Sequence, residues 1–384
     1  MTWPIAQLGS ICQTTSGGTP SRAHEEYFDG SISWVKSGDL TDGYVFSCEE
    51  KITELGLKKS SAKLFPKDTV LIAMYGATVG KLGILGMEAA TNQAICGITV
   101  PPELDRVFLF YFLLSQKKSL IEISTGGAQP NISQKILRNL YVPIPEIQEQ
   151  RRIADILTRA ESIVRLRREA LKKTQEIIPA LFLEMFGDPA TNPKGFEIRR
   201  LSEIGTLDRG KSKHRPRDAA ELYGGPYPFI QTGEVANSGG VIRKWIKTYS
   251  EAGLAQSRLW PKGTLCITIA ANIAETGVLD FDACFPDSVV GFIPGPLATT
   301  GYVQTWLDFL QPTLEALAPQ LAQKNINLAI LRELPIPLPP LDRQVEYVRR
   351  VEQIRSIQSQ ATRALATAEA AFQALLHRAF AGEL

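Results

Sequence analysis

The chain has 384 residues, too many for one comfortable hydrophobic core and enough for two. Its hydrophobic share of 44% and charged share of 21% are those of a soluble globular protein, and its formal charge of +2 does not by itself announce a polyanionic partner. No apolar run approaches the roughly 20 residues of a membrane span, and Met1-Thr2-Trp3-Pro4 carries no basic signal flank, so a cytoplasmic location is expected.

Residues 1–143 read as mixed α/β. Short β-branched runs such as Thr69-Val70-Leu71-Ile72-Ala73 alternate with glycines, and aromatic and leucine spacing predicts a helix over Val107–Gln116. The proline pair Val142-Pro143-Ile144-Pro145 closes this region and opens a helical one over 144–190. There turn residues vanish, and side chains recur at alternating steps of four and three: Ile153, Leu157, Ala160, Val164, Arg167, Leu171, Thr174, Ile178, Leu181, Met185. That spacing is a coiled-coil seam. Pro179 is expected to kink or end this helix.

Residues 191–337 then repeat the first region at an offset of about 194 residues. Ala128-Gln129-Pro130-Asn131-Ile132 through Leu140 matches Ala322-Gln323-Lys324-Asn325-Ile326 through Leu334, with about eight of thirteen positions identical. Leu64-Phe65-Pro66-Lys67 pairs with Leu259-Trp260-Pro261-Lys262, and Trp34-Val35-Lys36-Ser37-Gly38-Asp39-Leu40 with Phe229-Ile230-Gln231-Thr232-Gly233-Glu234-Val235. A second predicted helix covers Gly301–Leu310. The proline pair Ile336-Pro337-Leu338-Pro339 leads into the last region, 338–384, whose seam is Tyr347, Val351, Ile354, Gln358, Ala361, Leu365, Ala368, Phe372, Leu375, Ala379. Each long helix is expected to run about 35 to 40 residues, and the simplest way to bury both seams is against each other as an antiparallel pair. Arg167, Thr174 and Gln358 are expected inside that seam as polar register markers. The fold class is therefore α+β (mixed): two homologous α/β domains and two long helices packed as an antiparallel coiled coil, with pseudo-twofold symmetry.

Five scattered cysteines without a Cys-x-x-Cys spacing argue against a disulfide framework or a zinc site, and three isolated histidines offer no metal-ligand pattern. Basic groups gather at Arg209, Lys211, Lys213, Arg215 and Arg217, and along Arg165, Arg167, Arg168, Lys172 and Lys173.

At the repeated proline pair, the heptad helices and the Trp-Val-Lys-Ser-Gly-Asp-Leu element, the whole chain resembles the specificity subunit of type I restriction-modification systems. The resemblance implies two target-recognition domains, each reading one half of an asymmetric bipartite site in double-stranded DNA. It implies a helical pair that spaces the domains and docks two methyltransferase subunits. Those subunits bring S-adenosylmethionine and methylate adenine, and a restriction and translocase subunit joins for cleavage. The chain itself then has no catalytic residue, no metal and no cofactor. Within that frame the chemistry of glycine-rich loops suggests DNA contacts at Lys36, Ser37, Tyr75, Lys81, Asn92 and Gln93 in the first copy, and at Lys211, Lys213, Arg215, Gln231, Thr232 and Asn272 in the second. Lysine and arginine hold phosphate, and an asparagine or glutamine amide can pair an adenine edge bidentately. The repeated Gln129-Asn131 and Gln323-Asn325 suit a shared structural or backbone role.

Two rival readings stand beside this one. A stand-alone two-domain DNA-binding regulator or adaptor would share the architecture. Gly205-Thr206-Leu207-Asp208-Arg209-Gly210-Lys211-Ser212 also fits the P-loop pattern letter for letter, which would make the chain an NTPase if a buried strand preceded those residues and a helix followed. The charged lead-in and Pro216 speak against it.

Overall fold

The computed structural model describes residues 3–124, 131–214, 216–270, 273–317 and 326–384. The chain divides into two compact units, Met1–Glu169 with Thr362–Leu384, and Ala170–Ala361. Among the described residues no helix is long and apolar enough to cross a membrane.

In the first unit a five-stranded sheet runs in the order Gln13–Ser16, Ile95–Thr99, Val70–Ala73, Leu82–Leu85, Gly43–Val45. Its central strands are continuous apolar runs buried on both faces. A second sheet pairs Phe28–Val35 with Lys51–Ile52 and Ala89–Thr91. The strand Ile5–Gln7 pairs with Tyr141–Pro143, which brings the first proline pair back beside the start of the chain. The helix Arg106–Ser124 is longer than the sequence predicts. Asp105 caps it by accepting from Val107 N at 2.9 Å and Phe108 N at 3.0 Å. Phe108 through Leu113 are all buried, because this helix has the sheet on one side and the long helices on the other.

The second unit repeats the plan. Its sheet order is Gly205–Arg209, Val289–Pro294, Leu265–Thr268, Thr276–Leu279, Gly240–Ile242, strand for strand the order of the first. In both, the last strand joins in parallel and the others are antiparallel. Even the irregularities recur: pairing shifts between Phe28 and Ile32 and between Tyr223 and Tyr227. At each shift sits a glycine, Gly30 or Gly225, where a Cβ would lie 2.4 Å from Ile52 O or 2.5 Å from Tyr249 O. The helix Thr300–Leu317 takes the place of Arg106–Ser124.

The first long helix runs over Ile147–Gln175 and a shorter one over Ile177–Phe186. The break falls where Pro179 cannot donate to the carbonyl of Gln175 and its ring crowds that turn. The last helix, Leu341–Ala381, is unbroken over 41 residues. The two run antiparallel within each unit. In the first, Arg168 pairs with Glu369 at 2.6 Å and Arg152 donates to Leu384 O at 2.9 Å. In the second, Gln358 Nε2 donates to Thr174 O at 2.7 Å, and the Phe182 and Tyr347 rings meet at 5.6 Å.

The seam does more than join helix to helix. Ile153, Leu157, Val164 and Phe372 belong to the same buried cluster as Val70, Ile72 and Phe108 of the sheet and helix above them. Val351 joins Leu265, Phe292 and Trp306 in the second unit. Each such side chain contributes about 1.5 to 3 kcal/mol by burial, so helix and domain stabilise one another. Leu171, Ile178, Ile354, Leu365 and Leu375 are half-buried, with Leu365 and Leu375 packed against the first of these clusters and Ile178 against the second. The expectation that Arg167 lies inside the seam is not met. It is exposed, because a guanidinium without a partner carboxylate there stays in water, whereas Thr174 and Gln358 do meet across the seam.

Candidate nucleic-acid interface

In the first copy, strand pairing gathers the candidate residues at one end of the sheets. The strands Gln13–Ser16, Phe28–Val35, Val70–Ala73 and Ala89–Thr91 all finish there, and Ile95–Thr99 begins there. Lys36 and Ser37, Tyr75, Lys81, and Asn92 with Gln93 therefore lie on loops at that one end. Gly17 N donates to Ile95 O at 3.0 Å and Gly18 N to Thr91 O at 2.9 Å, so the polar loop after Ser16 closes over the end of the neighbouring strand. The approach is tight: a Cβ on Gly17 would lie 2.2 Å from Thr91 O. Trp34 Nε1 donates to Gly18 O at 3.0 Å, Thr19 hydrogen-bonds to Gln93, and Tyr75 bridges to Asn131.

Charge at this end is partly spent inside the protein. Glu50 takes Lys36 Nζ at 2.7 Å and Arg22 at 2.5 Å. The Lys36 hydrogen bond, with Arg22 second, holds the Glu50 carboxyl below its usual range, and the same contact raises Lys36. Arg22 also lies over the Phe28 ring at 4.4 Å. Asn92 Oδ1 is buried without a hydrogen-bond partner among the described residues, which leaves one amide acceptor unused at the loop end.

The second copy builds the same backbone with other side chains. Gly210 N donates to Val289 O at 2.9 Å and Lys211 N to Phe285 O at 3.1 Å, the bonds that Gly17 and Gly18 make in the first. Lys211 and Lys213 are exposed, and neither pairs with a carboxylate among the described residues. Gln231 is exposed and Thr232 half-buried, at the start of a short helix whose Glu234 accepts from Gln231 N at 3.3 Å. Arg217 is held by Asp287 at 3.0 Å, and Arg258 by Asp208 at 3.1 Å while it lies over Trp260. Arg215 and Asn272, with Gln129, Gln323 and Asn325 of the repeated motif, lie outside the described residues.

This geometry removes the P-loop reading. Gly205–Arg209 is a strand paired along its length with Val289–Pro294, not a phosphate cradle. A Cβ on Gly205 would meet Phe292 at 2.3 Å, so that glycine serves packing. Ser212 is buried, and the next element is a 3₁₀ turn at Ala220–Leu222 rather than a helix N-terminus that could hold phosphate.

Three features escaped the sequence reading. The segment Arg243–Lys247 is exposed throughout, with Trp245 set against Phe281 at 4.6 Å and Ile246 84% exposed. Its basic and aromatic alternation was visible but lay outside any repeated motif. Gln150 and Gln344 are fully buried at corresponding places near the start of each long helix; a polar residue kept on an apolar face at the repeat offset was the available signal. Between the second domain and its helix, Asp308 accepts from Thr276 Oγ1 at 2.8 Å, and Arg355 donates to Gln304 Oε1 at 3.0 Å. Burial raises the Asp308 carboxyl to about 6, against the lowering effect of Thr276 and Arg355. In the first copy the corresponding joint has Tyr111 OH donating to Glu161 at 2.7 Å.

Comparison with known proteins gives one answer at every level. The family described as "Type I restriction modification DNA specificity domain" matches residues 1–176 and 193–367. The specificity subunit of type I restriction enzyme MjaIX of Methanocaldococcus jannaschii is 27% identical over 253 residues, covering 60% of this chain and 57% of that one. The EcoR124I/EcoR124II specificity subunit of Escherichia coli is 28% identical over 176 residues and 44% of its own length. The chain thus spans about half the length of these two relatives. The Escherichia coli EcoBI specificity subunit aligns over all of this chain and 86% of itself at 26% identity. A chain from a structure of type I restriction-modification complex assembly shares the fold with a TM-score of 0.67 at 20% identity, covering 100% of this chain and 98% of that one. The S subunit from M. genitalium does so with a TM-score of 0.60 at 15% identity, covering 99% of this chain and 96% of that one.

Proposed function

Because this chain belongs to the type I restriction-modification DNA specificity family and carries two target-recognition domains, we propose that it is the DNA-reading subunit of a methyltransferase complex, each domain binding one half of a bipartite, asymmetric site. The observation that carries this reading is the pair of like-folded domains whose corresponding loop ends differ in side chain: Lys36 against Gln231, Gly18 against Lys211, Glu50 against Lys247. One scaffold presenting two chemistries suits a site whose halves are unlike.

In this reading Lys211, Lys213, Lys244 and Lys247 hold phosphates, while Gln231, Thr232, Asn92 and Gln93 face base edges. Trp245 and Ile246 supply apolar contact beside those charges. Lys36, paired to Glu50, orders its loop more than it neutralises a phosphate. Tyr75 and Lys81 flank the same loops. The antiparallel helices set the spacing of the halves and dock two methyltransferase subunits. S-adenosylmethionine binds to those partners, which perform the adenine methylation, and a restriction and translocase subunit joins for cleavage.

Co-expression of this chain with its cognate methyltransferase in a host lacking both, followed by genome-wide mapping of methylated adenine, tests the reading. Methylation is expected at one bipartite motif and only when both proteins are present. Methylation by this chain alone overturns the proposal, and tight stoichiometric DNA binding without any methylation in the pair would favour a regulator instead.

A further inference from the structure

Gln150 and Gln344 make the same three hydrogen bonds to backbone, atom for atom, and Gln344 Oε1 also accepts a longer one from Thr299 Oγ1 at 3.4 Å. Gln150 Oε1 accepts from Asp105 N at 2.8 Å, and its Nε2 donates to Glu103 O at 3.2 Å and Pro145 O at 2.8 Å. Gln344 Oε1 accepts from Thr299 N at 2.9 Å, and its Nε2 donates to Leu297 O at 3.1 Å and Pro339 O at 2.9 Å. Both side chains are 0% exposed. In each unit one amide thus ties together the proline pair, the first turn of the long helix, and the loop that starts the domain's buried helix.

No other side chain of this size offers an acceptor and two donors in that geometry. Glutamate would set oxygen against two carbonyls, and leucine would leave one amide and two carbonyls buried and unpaired. The loops they grip share no side chains: Glu103-Leu104-Asp105 in one, Leu297-Ala298-Thr299 in the other. The three bonds common to both copies hold backbone, so they persist where the side chains of the gripped loop differ. That is what a helix must do if recognition domains of different sequence are to leave it at one angle.

We infer that Gln150 and Gln344 are positioning residues that fix the angle between each recognition domain and its own long helix, and so make the protein strict about the separation of its two half-sites. This rests on the function proposed above. A tilt of about 10° at such a joint moves a point roughly 20 Å away by about 3.4 Å, one base-pair step. Loosening either clamp therefore reaches the next spacing without touching a base-reading side chain.

The test uses the full chain assembled with its methyltransferase and a library of sites with constant half-sites and spacers lengthened or shortened by one or two pairs. The wild type is expected to prefer one spacing by about a hundredfold. Gln150→Met and Gln344→Met keep the side-chain volume and remove the hydrogen bonds. They are expected to cut that preference to about tenfold while the half-site sequences methylated stay the same. Unchanged ratios between spacings, with only rate and Tm lowered, overturn the inference, as does failure of both variants to assemble, which would make the glutamines folding determinants. A wild-type complex with no bipartite site at all would instead refute the proposed function.

Discussion

The loop ends of the two recognition domains share a backbone and exchange their chemistry. Gly17 and Gly210 make the same bond to the strand beside them, and the next amide, Gly18 or Lys211, does likewise. Yet the first end folds Lys36 and Arg22 onto Glu50, whereas the second has Gln231 and Lys247 at the places of Lys36 and Glu50, and its Lys211 and Lys213 pair with no carboxylate among the described residues. Where structure is carried by main-chain bonds, side chains are free to differ. The first end spends part of its charge on Glu50, and the second presents two exposed lysines.

Breaking the shared part should cost most. Gly210→Val places a Cβ 2.2 Å from Phe285 O, and Gly17→Val does the same beside Thr91, so each is expected to destabilise its own unit by about 3 kcal/mol or more. Thermal unfolding followed by calorimetry should show that one unit alone melts early. Next in size, Lys211→Ala with Lys213→Ala should weaken DNA binding by the assembled complex on all sequences alike and reduce the salt slope by about two. A change in the methylated motif would show instead that these lysines read bases. Exchanging chemistry sharpens the comparison further: Gln231→Lys with Lys247→Glu rebuilds the first copy's ion pair in the second. The expected outcome is altered or lost recognition of one half-site only, read by methylation mapping, with the other half unchanged.

The smallest effect concerns pH. The folded Asp308 carboxyl titrates near 6, above its ordinary 3.8, so between those values the folded state binds more protons than the unfolded one. Its contribution therefore turns less favourable as pH rises from about 4 to 6 and is constant above that. Asp308→Asn should flatten that part of the stability profile, measured as Tm against pH. The first copy has Leu114 at the corresponding place, and Leu114→Asn should leave the slope as it is.

Much of the architecture was legible because duplication makes each copy a control on the other. The matched Trp34–Leu40 and Phe229–Val235 segments do lie alike, each a strand end running into a short helical turn. Pro179 does interrupt its helix, since a missing N–H is a local property. What failed to show were long-range pairings. Glu50 reaches Lys36 only because Lys51–Ile52 pairs with Phe28–Val35, so nothing in the loop itself announced that this lysine was taken. Arg167 fitted the heptad by number, but spacing says nothing of whether a partner waits across the seam. The glutamine clamps were hard to read for a related reason: the partners they share in both copies are main-chain atoms, so only the repeated glutamine itself marked them.

The division of the chain has a consequence for how it is made. The first unit takes Thr362–Leu384 as part of its own core, with Phe372, Leu376 and Ala379 packed among its sheet and helix. The second unit is one uninterrupted stretch lying wholly between the two pieces. On the ribosome the earlier-translated unit must therefore wait with an open apolar face until the later one has emerged and its closing segment follows, the reverse of the usual N-terminal-first order. Its nascent form is the species that chaperones are expected to meet, and its closure, which joins segments far apart in sequence, is expected to be slow.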